Sequence, residues 1–311
     1  MIISASYKTD IPAFYGEWFL NRLHAGYCKV VNPYNNRISC VPLDRASVDS
    51  IVFWTKNAGP FLHRLDAVAA LGYPFVVQYT INGYPRALES AVIDAARSTE
   101  HVRRISEHFG PRVAVWRYDT IVFSSLTPLS FHLDNFTRIA QKLEGAVDEV
   151  VISFMHLYDK TRRNLDRAAT EREFVWYDPP TDEKRELASL LAAIAIQHGI
   201  RLSICSQPSF VVDGVTEARC VDADRLEALV GHKVKARLHG NRKQCGCFES
   251  RDIGEYNTCP QGCVYCYAVI NTKLARNRFG AHDPQSEFLF APPPSATEIE
   301  PERVRAQLPL I

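Results

Sequence analysis

Cys259, Cys263 and Cys266, in the order C-x3-C-x2-C, are the residues of this chain best spaced for chemistry. Three thiolates on so short a loop can wrap one face of a cubane iron-sulfur cluster and leave one iron without a protein ligand, an open position for chemistry. Zinc is the competing reading, although structural zinc takes four closed ligands, commonly from pairs of C-x2-C. Four further thiols invite a second site. Cys205 closes a candidate strand, Cys220 follows in the next loop, and Cys245 with Cys247 forms C-x-C beside the main motif. Together they have the ligand count of an auxiliary cluster or a structural zinc, while the opposing reading makes Cys205 and Cys220 small core residues. Cys28 and Cys40 lack ligand-like spacing and read as structural.

Polar side chains recur wherever an apolar run ends. Lys8 and Asp10 follow the first run, Lys56 and Asn57 the second, and Gln78, Thr80 and Asn82 belong to the third. Arg117 and Asp119 close the fourth, Ser153 and His156 the fifth, and Cys205 and Gln207 the sixth. Lys8, Lys56 and Arg117 suit a carboxylate or phosphate, Arg with a bidentate grip, or else they neutralise Asp10 and Asp119. His156 is a candidate proton donor or a hydrogen-bonded bystander. Six such ends on one side of a parallel sheet mark the face where barrels keep their active sites.

The run CPQGCVYCYA, from Cys259 to Ala268, resembles the radical S-adenosylmethionine superfamily, and within it the spore photoproduct lyase branch. More widely, SASYKTDIPAFYGEWFLNRL, FWTKN, WRYD, ISFMHLYD and DIGEYNTCPQGCVYCYA resemble the bacterial domain-of-unknown-function family eighteen forty-eight, a likeness that spans nearly the whole chain and implies no settled reaction. The superfamily resemblance implies that Cys259, Cys263 and Cys266 each hold one iron of a 4Fe-4S cluster, with S-adenosylmethionine on the fourth and Tyr265 near its adenine. It further implies reductive cleavage to methionine and a 5'-deoxyadenosyl radical, with an electron donor such as flavodoxin or ferredoxin as partner. The chain departs from the pattern twice. Its cysteine loop comes after six strands rather than after the first, and WTKN (54–57) stands where a Gly-Gly-Glu segment is expected after the second. Asp10, Asn57 and Asp119 are then the candidates to hold the amino acid moiety.

The elements that must position these residues are legible as an alternation. Strands are expected at Ile2–Ser6, Ile51–Thr55, Phe75–Thr80, Val113–Arg117, Val150–Phe154 and Arg201–Cys205, all rich in β-branched and aromatic residues. Amphipathic helices are expected at Ile11–Ala25, Phe61–Leu71, Ala87–Phe109, Leu129–Leu143 and Thr181–His198. The expected fold is α/β: a partial TIM-like parallel (β/α)6 barrel over residues 1–231. A cysteine-rich segment, 232–311, then folds over the strand C-terminal face. An open sheet with a switch-point crevice is the alternative.

Composition narrows the class. With 311 residues, 46% of them apolar, the chain can build one large core. Its apolar runs are too short to span a bilayer, so a soluble cytoplasmic protein is expected. Six of the nine cysteines lie after residue 218, which suits ligation better than disulfide bracing. Neither GxGxxG nor GxxxxGK[ST] occurs, so no dinucleotide or P-loop nucleotide site is expected. The net charge of +1 does not require a nucleic-acid partner, although the lyase-like loop is compatible with one. Nine Lys or Arg between His232 and Arg278, against three acids, form either a solvated face or a site for an anionic substrate. Two other functions compete. One is an electron-transfer or sensing protein with a fully ligated cluster; the other is a zinc hydrolase using His156 with Asp10 or Asp119.

Overall fold

The computed structural model describes residues 1–240 and 244–298. Arg242 and Lys243 of the basic run lie outside them. At the centre is an eight-stranded sheet in which neighbouring strands are all parallel. In chain order its strands are β1 (Ile2–Ala5), β2 (Ser50–Thr55), β3 (Phe75–Thr80), β4 (Ala114–Ile121), β5 (Glu149–Phe154), β6 (Arg201–Ile204), β7 (Val215–Glu217) and β8 (Ser250–Asp252). The first six are the strands expected from the apolar runs. In space the order is β7-β6-β5-β4-β3-β2-β1-β8. From β1 to β7 each new strand is laid on the same side of the last, so no switch point interrupts the series. Among the described residues the end strands β7 and β8 do not pair with each other.

Nine α-helices are described: α1 (Ile11–Phe14), α2 (Gly16–Ala25), α3 (Leu62–Ala70), α4 (Ala95–Phe109), α5 (Leu129–Leu143), α6 (Asp159–Glu171), α7 (Thr181–Gln197), α8 (Ala223–Val230) and α9 (Thr272–Gly280). Right-handed crossovers that always step the same way put their helices on one face. On that face Ile3, Phe53, Val77, Trp116 and Ile152 pack with Phe19, Leu65, Val102, Phe136 and Leu191. Side chains alternate along a strand, and the opposite face carries Ile2, Val52, Val76, Val115 and Val151. That layer is closed by Ala218, Cys220, Val221, Ala223 and Leu226, the last two from α8. Two residues further along the same face stand Ser4, Trp54, Gln78, Arg117 and Ser153, where the chemistry begins.

Two expected helices differ: Ile11–Ala25 is broken at Tyr15 into α1 and α2, and α4 is shorter than expected. Helix α4 starts at Ala95 rather than Ala87, because Asp94 caps it by accepting the Arg97 N–H at 2.9 Å, and residues 87–94 form a connection that carries Glu89. A hairpin of Tyr27–Val31 with Arg37–Pro42 follows α2, with Cys28 in the main core and Cys40 on the partner strand beside Lys29.

Inside this frame His132 on α5 is fully buried, with Nδ1 2.9 Å from the Tyr118 hydroxyl and Nε2 3.2 Å from the Val122 carbonyl oxygen. Burial pushes its imidazole down from 6.5 to about 4. The folded pKa is the depressed one, so this contribution to stability is complete above pH 6.5 and is lost as pH falls through 4. Between pH 7 and pH 5 the loss is about 2 kcal/mol. Urea unfolding at the two pH values should show stability changing about 2 kcal/mol less favourably from pH 7 to pH 5 in the wild type than in His132→Gln; equal changes in the two would contradict the assignment.

Candidate active site at the strand ends

The cysteine loop reaches the strand ends by way of β8. Asp252 on that strand accepts hydrogen bonds from the Ser4 hydroxyl at 2.9 Å, the Ser6 hydroxyl at 2.8 Å and the Tyr7 N–H at 3.0 Å, which locks β8 to β1 and to the turn beyond it. Gly254 follows. A Cβ there would lie 2.0 Å from the Ser6 Oγ, so only glycine lets the chain pass this close. The loop is next fastened along the 88–91 connection. The Val264 N–H donates to the Leu88 carbonyl at 3.0 Å and the Ala91 N–H to the Gln261 carbonyl at 3.0 Å, with Glu89 bridged to Cys263 through the backbone. Gly262 supplies the positive φ of 73° that the turn needs, and a Cβ on it would meet Ser90 Oγ at 2.1 Å. Tyr15 and Tyr267 complete the attachment by donating to the Thr258 and Tyr7 carbonyls.

Held this way, Cys259, Cys263 and Cys266 lie within electrostatic reach of one another. Burial pushes all three thiols above their usual value. The carboxylate of Asp10 adds to this at Cys259, and the ammonium of Lys56 opposes it at Cys263. Thiols in such a setting stay protonated until a metal replaces the proton. The Ala268 N–H already donates to Cys266 Sγ at 3.3 Å. As the side chains stand, no group of three or more His, Cys, Asp or Glu among the described residues is disposed to hold a metal ion.

Beside the loop lies a buried polar network. Lys56 Nζ is 2.8 Å from Glu89 Oε1 and donates to the Tyr265 hydroxyl at 3.2 Å, while that hydroxyl also donates to Glu89 and accepts from Asn82 Nδ2 at 2.9 Å. Burial works against the charge on Lys56, but Glu89 together with Cys263 and Asp119 holds the ammonium above its ordinary value. Asp10 caps α1 through the Ala13 N–H and accepts from the Lys56 N–H at 2.8 Å and Gln261 Nε2 at 3.0 Å, so it joins three segments of the site. Burial raises its carboxyl despite these donors.

Arg117 is almost wholly buried. It stacks on Trp54 and donates to Asp119 Oδ2 at 3.1 and 2.6 Å, to Gln78 Oε1 at 3.2 Å and to Cys220 Sγ at 3.0 Å. Asp119 is desolvated, yet Arg117 together with the Ser153 hydroxyl holds its carboxyl below the usual range. Lys8 faces Asp252 at 3.5 Å. All three candidate cations thus have acidic partners in the fold. His156 Nε2 lies 3.4 Å from Gln207 Nε2, and Asn57 Oδ1 accepts the Gly59 N–H at 3.0 Å in the turn after β2.

Lys56, Asp10 and Tyr265 are therefore brought beside the three cysteines, while Arg117 and Asp119 stand towards Cys205 and Cys220. Neither Glu89 nor Gln261 stands out in the sequence. Glu89 sits inside a stretch that reads as helix, and nothing in the chain reveals the ladder that turns it inward. On the far side of Cys263 a cleft of about 230 Å³ is lined in part by Arg167, Arg172 and Lys273.

A family model described as "Domain of unknown function (DUF1848)" matches residues 2–268, a span that ends just past the cysteine loop. No curated protein matches the chain.

Proposed function

We propose, for a chain that belongs to the DUF1848 family, that Cys259, Cys263 and Cys266 hold a 4Fe-4S cluster and that the protein is a radical S-adenosylmethionine enzyme. The observation that carries the proposal is the gathering of these three thiols, with no histidine among them, at the C-terminal ends of parallel strands beside Lys56, Glu89 and Tyr265. A three-thiol set fits a cluster with one open iron better than a closed zinc. When bound and reduced, such a cluster supplies the electron that splits S-adenosylmethionine into methionine and a 5'-deoxyadenosyl radical, which takes hydrogen from a substrate.

The chain's own residues have definable tasks in this reading. Asp10 and Gln261 orient the loop, and the Ala268 N–H donates to the Cys266 sulfur. Lys56 places a positive charge against thiolate charge. Tyr265, held by Glu89 and Asn82, would form part of the wall around a bound cosubstrate. The basic cleft behind Cys263 suits the docking of an electron donor with an acidic surface, the character of a flavodoxin or ferredoxin.

Strand order lends further support. β8 precedes the loop and is the outer neighbour of β1. Counted from β8, the loop follows the first strand of an unbroken parallel series, so its late place in the sequence is a permutation of the superfamily order. The same count moves the position of the missing Gly-Gly-Glu segment from WTKN to residues 6–10 after β1, with Asp10 at its end. We read the sheet accordingly as a partial TIM-like barrel with its helices outside and the Arg117 layer within. The competing electron carrier would recruit Cys245 or Cys247 as a fourth ligand, yet Cys247 pairs with Cys220 and Cys245 with Cys247 instead.

Anaerobic reconstitution, iron and sulfide counting and electron paramagnetic resonance of the reduced protein test the proposal. A reduced 4Fe-4S signal that changes on adding S-adenosylmethionine is expected. A signal indifferent to the cosubstrate, or zinc as the only metal bound, would sink it.

A further inference from the structure

We infer that Cys205, Cys220, Cys245 and Cys247 form a second metal site, a tetrathiolate for one zinc-class divalent ion, separate from the three-cysteine loop. The four residues come from three places: the end of β6, the stretch after β7 and the segment leading to β8. Their sulfurs nevertheless meet. Cys220 Sγ is 3.4 Å from Cys205 Sγ, and Cys247 hydrogen-bonds through its sulfur to both Cys220 and Cys245. Cys245 and Cys205, the ends of this chain of thiols, remain within electrostatic reach of each other. Tetrahedral zinc with Zn–S of about 2.3 Å needs sulfurs about 3.8 Å apart, close to the spacing seen, whereas a four-iron cluster sits between its cysteines and spreads them more widely. No finished cage is present as the side chains stand, so closing it requires the two outer thiols to turn inward.

Donors are aimed at these sulfurs. The Cys220 N–H donates to Cys247 Sγ at 3.2 Å and the Val221 N–H at 3.5 Å, while the guanidinium of Arg117 donates to Cys220 Sγ at 3.0 Å. Four thiolates around a divalent ion carry a net charge of −2, and a buried arginine at hydrogen-bonding distance offsets part of it. On binding, each thiol proton leaves to solvent and a sulfur–metal bond replaces it, with no change of oxidation state. The ion would staple the segment that covers the inner face of the sheet, since Cys220 and Cys247 already belong to the apolar layer closing over Val52, Val76 and Val115.

The site stands or falls independently of the radical reading. The test uses the full chain, wild type and with Cys259, Cys263 and Cys266 all replaced by Ala, each measured for zinc, iron and sulfide. One zinc per chain is expected in both, with affinity reduced at least about tenfold in Cys245→Ser and Cys247→Ser by chelator competition. Cobalt(II) as a probe should give the absorption of a tetrahedral thiolate complex in the wild type. Should a serine variant fail to fold, a fall in Tm of the wild type on zinc removal gives the same answer. Absence of zinc from folded wild type, zinc unaffected by both serine changes, or iron and sulfide persisting in the triple variant would each overturn the inference.

Discussion

Arg225→Leu is expected to lower the unfolding free energy by about 3–5 kcal/mol, the cost of taking the buried cation away from its acidic partners. Arg225 on α8 is almost fully buried and donates to both oxygens of Asp148 at 2.7 and 3.1 Å, to Glu149 Oε2 at 2.7 Å and to the Arg112 carbonyl at 2.8 Å. These partners tie α8, which closes over the face of the sheet opposite the main helical layer, to the first residue of β5. Glu149 is itself buried and retains only Arg201, at 3.0 Å, and the Ser203 hydroxyl once Arg225 is gone. Lysine should restore little, because a point charge cannot reproduce the planar fork that spans two carboxylates. Urea unfolding reads the effect as a lower midpoint at unchanged slope. Adding Glu149→Gln to Arg225→Leu should recover part of the loss, since the acid left behind is what costs most. A loss below about 1 kcal/mol for Arg225→Leu would show that the pair contributes no more than a surface ion pair.

Arg225 also marks where the sequence stops being readable. The six long strands are evident because each is an apolar run buried on both faces, and β5, EVVISF, is buried throughout. β7 and β8 are three residues each, and half of what makes them strands is pairing with β6 and β1 rather than composition. α6 is missed for the opposite reason: of its thirteen residues only Thr161, Leu165 and Ala168 are buried, so its apolar stripe is too narrow to stand out. At the site, the spacing of Cys259, Cys263 and Cys266 announces a ligand set because the three are close in sequence. Their partners are not. Lys56 and Glu89 meet only because β2 and β3 are adjacent, and each was legible as a charged residue without its counterpart. The pairing of Cys245 and Cys247 with Cys220 and Cys205 depends likewise on β8 returning to the far edge of the sheet, a topological fact that no local pattern encodes.

Cys263→Ala is expected to reduce the iron retained by the reconstituted protein to less than about a tenth of wild type and to abolish cosubstrate cleavage, because two remaining thiols cannot hold a cluster against solvent. The fold should survive. Cys263 packs in a small satellite cluster with Tyr84, Leu88 and Tyr265, so the lost sulfur costs about 1 kcal/mol, and the ladder that holds the loop runs through backbone groups of Val264, Leu88, Ala91 and Gln261 that the substitution leaves in place. Circular dichroism and the urea midpoint should stay near wild type, and zinc at the four-thiol site should be unchanged. This separation distinguishes a catalytic cluster from a structural one. If iron and fold are lost together, the loop is a structural metal site and the radical mechanism is wrong for it; if iron is retained in full, Cys263 is not a ligand, and the three-cysteine motif does not act as a unit.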